Sequence, residues 1–113
     1  MNDDLERKEF SYSRRDAILN EIGYTSYESY LCSNLWEDVK YKTYKLLGKC
    51  CFLCDKPSTT LHHRKYTRVN LLGESTEWLS PLCYECHTLI ECNDNGNKIL
   101  NPFDVDVRYK EKL

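Results

Sequence analysis

The chain has 113 residues, with 16 Lys and Arg against 18 Asp and Glu, a formal net charge of −2. That length suits one domain, and the balance excludes a uniformly basic polyanion binder. Hydrophobic residues reach 41%, but seven Cys and nine Tyr are among them, so the strictly apolar content is thin and a covalent or metal staple is expected.

No stretch approaches the roughly 20 apolar residues that cross a bilayer. The start, Met1 to Glu6, is acidic and has neither the basic head nor the apolar run of a secretory signal, so a cytoplasmic protein without membrane attachment is expected. Thiols stay reduced there, and seven cysteines, an odd number, read as metal ligands rather than disulfides.

In chain order, Ser13 is placed to cap a helix through Arg14, Arg15, Ala17, Ile18, Leu19 and Ile22, stopped at Gly23. A Tyr-rich turn follows with Tyr24, Tyr27 and Tyr30. Asn34 and Glu37 form a capping-box-like pair ahead of Leu35, Trp36, Val39, Thr43, Leu46 and Leu47, which recur at helical spacing up to Gly48. Lys40, Lys42 and Lys45 lie off that apolar stripe. Thr59–His63 is β-prone, Leu79–Leu82 is a second extended stretch, and Tyr84 to Cys92 suits a short helix ended by Asn93-Asp94-Asn95-Gly96. The residues from 97 to 113 form a polar tail with apolar points at Ile99, Leu100, Phe103, Val105 and Val107, which could pack back on the core or serve a partner.

Charge is unevenly spread. Residues 40–72 hold eight Lys and Arg against Asp55 alone, a net of +7, and the remainder carries −9. A basic centre between acidic flanks can offer a polyanion one favourable face, although a solvated helix face explains the same pattern.

Cys51-x2-Cys54 and Cys83-x2-Cys86 are two Cys-x2-Cys knuckles, which together supply the four thiolates of a closed, structural zinc site. Cys32, Cys50 and Cys92 are surplus, each by default a buried small hydrophobe. With zinc satisfied, His62, His63 and His87 are spare. His62 and His63 are neighbours on an extended stretch and point to opposite faces. His87 and Glu91 share one face of the last helix, where they could hold a second ion. The plain alternative makes His62 and His63 surface residues and His87 a spare zinc ligand.

The run Cys51-x2-Cys54, His62-His63-x2-Tyr66, Gly73-Glu74, Leu82-Cys83-x2-Cys86-His87, with Tyr30-Leu31-x-Ser33-x2-Trp36 upstream, resembles the zinc-knuckled branch of the HNH endonucleases. The resemblance covers about Tyr30 to Cys92. It implies an α+β fold, a small zinc-stapled ββα-metal (His-Me finger) core over 49–93, with helical residues 1–48 packed on it and a tail at 94–113. It implies a nuclease that hydrolyses nucleic-acid phosphodiesters, DNA being the expected form, with His63 as general base. His62 and His87 would hold a catalytic divalent ion such as Mg²⁺ or Mn²⁺. Glu91 stands where many members have a further His, a change that favours harder ions. Trp78 stands where Asn or Asp usually braces the loop, a task left to Glu77 or Asn70. Arg64, Lys65, Arg68 and Lys56 are placed to meet phosphates. Cutting both strands would need a homodimer, and sequence specificity is expected to be low or supplied by a protein partner. The rival expectation is a degenerate HNH-like module that binds nucleic acid or protein without cutting.

Overall fold

The computed structural model describes residues 3–113; Met1 and Asn2 of the acidic start lie outside the described residues. The elements are α1 (Asp3–Phe10), α2 (Tyr12–Glu21), α3 (Tyr27–Leu31), α4 (Asn34–Leu47), β1 (Thr60–His63), α5 (Arg68–Leu71), β2 (Leu79–Leu82), α6 (Tyr84–Glu91) and α7 (Pro102–Lys112). This is an α+β arrangement with one two-stranded sheet among the described residues.

Helix starts are set by serines one or two positions from those expected. Ser11, not Ser13, caps α2: its backbone is extended and its Oγ accepts the Arg14 N–H at 3.1 Å, which leaves Ser13 inside the helix. Ser33, not Asn34, caps α4 and accepts the Trp36 N–H at 3.2 Å. Gly48, at φ 86, ends α4 as expected, where only glycine avoids the Cβ clash. The Tyr-rich turn contains a helical turn of its own, α3, closed by a reciprocal cap between Ser26 and Ser29. Along α4 Trp36, Val39 and Thr43 are buried, but Leu46 is 70% exposed because the last turn runs past the core.

β1 and β2 pair antiparallel, with His62 opposite Ser80 and His63 opposite Leu79. Pro81 is tolerated because both strands of a two-stranded sheet are edges. Side-chain alternation sends the hairpin's two faces to two cores. Leu61 and Leu79 join Ile18, Leu19, Tyr30, Trp36, Val39 and Leu71 on the side of the N-terminal helices. Leu82 joins Cys51, Cys83, Ile90, Val105 and Tyr109 on the side of α6 and α7.

The segment expected as a tail is α7, folded back on the sheet. Pro102 at its start has the fixed φ a first turn needs, and Asn101 caps it. Val105, Asp106 and Tyr109 are buried; Tyr109 Oη lies 2.6 Å from Ser80 Oγ and Asp106 Oδ1 accepts Arg64 Nε–H at 2.7 Å. α1 closes on the same side through an Arg7–Asp104 pair at 2.6 Å and the edge of Phe10 on Phe103, 5.3 Å between ring centres.

Candidate functional site

The two cysteine knuckles meet. Phe52 N–H donates to Pro81 O at 2.9 Å and ties the first knuckle to β2, while Asp55, at φ 67, turns the chain so that its N–H returns to Cys51 O. Cys83 caps α6 and Cys86 lies in its first turn. All four Sγ atoms lie within 4.8 Å of one another, and Cys54 Sγ is 3.6 Å from Cys83 Sγ. Tetrahedral zinc with Zn–S near 2.3 Å sets sulfurs about 3.8 Å apart, so the donor set fits a structural zinc ion. The 28 residues between the knuckles are the hairpin and α5. Of the surplus cysteines, Cys32 and Cys50 are exposed and Cys92 is half-buried, so none is the buried hydrophobe expected; Cys32 and Cys92 end α3 and α6, and Cys50 bridges to Pro57.

A second cluster lies on the other side of α6. His87 and Glu91, one helical turn apart, approach to 3.1 Å between Nε2 and Oε1, and His62 reaches over from β1. One donor atom from each of His62, His87 and Glu91 lies within 4.8 Å of the others. The His62 and His87 ring centres are 5.1 Å apart. His62 is buried, and its Nε2 has no hydrogen-bond partner among the described residues. Burial, then the neighbouring His87, hold the His62 imidazole well below its usual range, so its neutral form presents a lone pair. The His87 hydrogen bond holds Glu91 below the usual carboxylate range against the opposing effect of burial.

His63 faces the other way, as alternation requires. It is 3% exposed and lies between Trp36 and Tyr66, at 5.0 and 5.1 Å between ring centres. Its Nδ1 is 3.0 Å from the Tyr27 hydroxyl, and its Nε2 has no hydrogen-bond partner among the described residues. Burial, with Arg15 adding to it, pushes His63 down to about 3. The residue expected as the general base is thus walled off by tyrosines of α3 and the loop after β1, and neither His62 nor His63 is the surface residue of the plain alternative.

The four cations expected to meet phosphate all have carboxylate partners. Arg64 is held by Asp106, itself 3% exposed, and its guanidinium lies over the rings of Trp78 and Tyr109. Lys65 pairs with Glu9 at 3.2 Å, Arg68 with Glu21 at 3.3 Å and Lys56 with Glu85 at 3.8 Å. The loop brace is Asn70: buried, it donates from Nδ2 to Ser75 O and accepts from Thr67 Oγ1, both at 2.6 Å. Trp78 instead packs edge-on against Phe10, 5.9 Å between ring centres.

No family model, curated protein or solved structure matches this chain. What the site can do is therefore argued from its own atoms. Among the described residues no helix is long and apolar enough to cross a membrane.

The sequence reading missed Tyr12, Arg15, Tyr27, Tyr66 and Lys98. With Glu91 they line a cleft of about 370 Å³ beside the second cluster. The Arg15 guanidinium lies 4.7, 4.4 and 5.4 Å from the ring centres of Tyr12, Tyr27 and Tyr66. Tyr12 and Arg15 share α2, but Tyr27, Tyr66, Glu91 and Lys98 reach the cleft from other parts of the chain, and no sequence spacing joins those parts.

Proposed function

We propose that the chain is a metal-dependent nucleic-acid hydrolase of the HNH kind, in which β1, β2 and α6 form a ββα-metal core stapled by zinc at Cys51, Cys54, Cys83 and Cys86. The observation that carries the reading is the convergence of His62, His87 and Glu91 around one point, with a buried, unpartnered His62 Nε2. Leaving such a nitrogen unsatisfied costs about 1–3 kcal/mol, a cost that a bound cation removes. Two imidazoles and a carboxylate suit Mg²⁺, Mn²⁺ or a similar divalent ion. Such an ion supplies charge neutralisation at the scissile phosphate and the departing oxygen.

The chain's own groups do the rest. Asn70 holds the loop between the strands so that β1 presents His62 to α6. A base role for His63 runs through the Tyr27 hydroxyl, which it touches and which lines the cleft beside Glu91. Lys56, Lys65 and Arg68 can exchange exposed carboxylates for phosphates, because such surface pairs are worth only about 0–1 kcal/mol. Arg64 cannot: its partner Asp106 is buried, and leaving it would strand a charge. DNA is the expected substrate.

One observation favours the second reading, a module of the same shape that binds nucleic acid or a protein without cutting. A histidine buried and pushed down to about 3 is a weak proton acceptor at neutral pH. Nicking of supercoiled plasmid by the zinc-loaded protein with Mg²⁺, Mn²⁺ or Ni²⁺ separates the two. The hydrolase reading expects nicking that His87→Ala and His63→Ala each reduce at least about a hundredfold. Intact protein that nicks with none of these ions is a binding module.

A further inference from the structure

We infer that the cleft between Tyr12, Arg15, Tyr27, Tyr66, Glu91 and Lys98 is the subsite that receives a backbone phosphate of the nucleic-acid strand, with Arg15 and Lys98 as its cations. The inference rests on the hydrolase reading and names where that substrate sits. The cleft, about 370 Å³, is in the range of small-ligand sites. One wall is Glu91, a carboxylate of the His62–His87 cluster, so an anion in the cleft lies beside the candidate ion.

Arg15 is built for this use. Its side chain is only 16% exposed, and three tyrosine rings hold the guanidinium in place. Cation–π contact of this kind fixes the planar fork without consuming the N–H edges that bind phosphate. Asp16 takes the Nε–H at 2.9 Å but is itself exposed, and a further N–H meets the Tyr66 phenol. Lys98 is exposed on the loop after α6, where a long ammonium arm can swing to an incoming anion.

The tyrosines add uncharged ring walls, with the Tyr27 hydroxyl at His63 and the Tyr66 phenol at Arg15. Burial raises Tyr27 well above its usual range and raises Tyr66 to about 12, so neither carries a charge at neutral pH that would oppose an anion. The lining of the cleft sets two cations and three tyrosines against one carboxylate, Glu91, with Asp16 held on the Nε edge of Arg15 outside it. A strand phosphate also accounts for the rings: flanking bases or sugars can lie on aromatic faces that a free inorganic anion would leave idle.

Fluorescence anisotropy of a labelled single-stranded and a duplex oligonucleotide tests the assignment, using zinc-loaded protein without added Mn²⁺. Arg15→Met should weaken binding about tenfold and Lys98→Ala by a smaller factor, each flattening the salt slope by about one phosphate contact. Arg15→Lys should recover part of the loss, since it restores charge without the fork. Lys112→Ala, an exposed lysine of α7, should change nothing. Mn²⁺ binding, read by electron paramagnetic resonance, and the circular dichroism spectrum should match wild type in each variant. Wild-type binding that neither Arg15→Met nor Lys98→Ala weakens overturns the subsite and leaves the hydrolase reading standing. Failure of wild-type protein to bind either oligonucleotide overturns both.

Discussion

His62 and His63 are adjacent in the chain and have opposite surroundings. His62 is grouped with His87 and Glu91; His63 is stacked between aromatic rings. Their alternation was legible from the extended run, but burial of His63 was not, because Tyr27 and Tyr66 come from elements with no register to it. The burial has a pH consequence. His63 is neutral in the folded chain down to about pH 3, whereas an unfolded histidine titrates near 6.5. Between those values the unfolded chain binds a proton that the folded one refuses. Stability therefore rises with pH across the window and is lost as pH falls, by about 1.4 kcal/mol per pH unit for one such group. Urea unfolding at pH 5 to 7 should show His63→Phe with a slope lower by about one proton than wild type. The zinc thiolates contribute equally to both and cancel. Equal slopes would mean that His63 is not buried neutral.

At the scale of elements, α7 is where expectation and structure differ most. Its sparse apolar points read as a tail because the inward face is mixed: Val105 lies beside Asp106 and Tyr109, which look like surface residues until Arg64 and Ser80 meet them. A buried carboxylate is hidden from any hydrophobicity pattern, since its burial depends on a cation supplied 42 residues earlier. Asp106→Ala should then cost about 3–5 kcal/mol by stranding Arg64. In a domain of this size that lowers the thermal midpoint by more than about 10 °C. Lys65→Ala, whose partner Glu9 is exposed, should cost no more than about 1 kcal/mol. Thermal melts followed by circular dichroism compare the two, and similar losses would deny Asp106 its anchoring role. Cap positions show the same limit on a smaller scale: Ser11 and Ser33 displaced Ser13 and Asn34 because the packing of α2 and α4 decides where each first turn begins.

Across the whole molecule, two small cores flank a two-stranded hairpin that would be marginal in water by itself. The four-cysteine cluster joins the first knuckle to the start of α6 across that hairpin. Native mass spectrometry should find one zinc per chain. Its removal by a zinc-selective chelator, or by Cys54→Ser with Cys86→Ser, should lower and broaden the melting transition. An unchanged transition after zinc loss would remove the staple from the account. Charge is rearranged at this scale too. The +7 of residues 40–72 does not stand as an open basic face, because Glu9, Glu21, Glu85 and Asp106 from the acidic flanks fold onto Lys65, Arg68, Lys56 and Arg64. Among the described residues Lys42, Lys45 and Lys49 have no carboxylate partner, and Lys45 and Lys49 lie over the rings of Tyr41 and Tyr44.

The amino-acid sequence by itself determined the α+β class, helix α4, the extended stretches, the pairing of the two cysteine knuckles and the shared helix face of His87 and Glu91, while His62 was joined to that face through the family resemblance. The spacing-based readings are short-range: two residues between thiols and a turn of helix between His87 and Glu91. Only the tertiary structure decided that His63 is enclosed, that the basic segment is answered by distant carboxylates, that α7 closes the second core, and that Arg15 stands among tyrosines beside Glu91. Each of those is a meeting of groups far apart in the chain, and its energy exists only once the intervening backbone has been ordered.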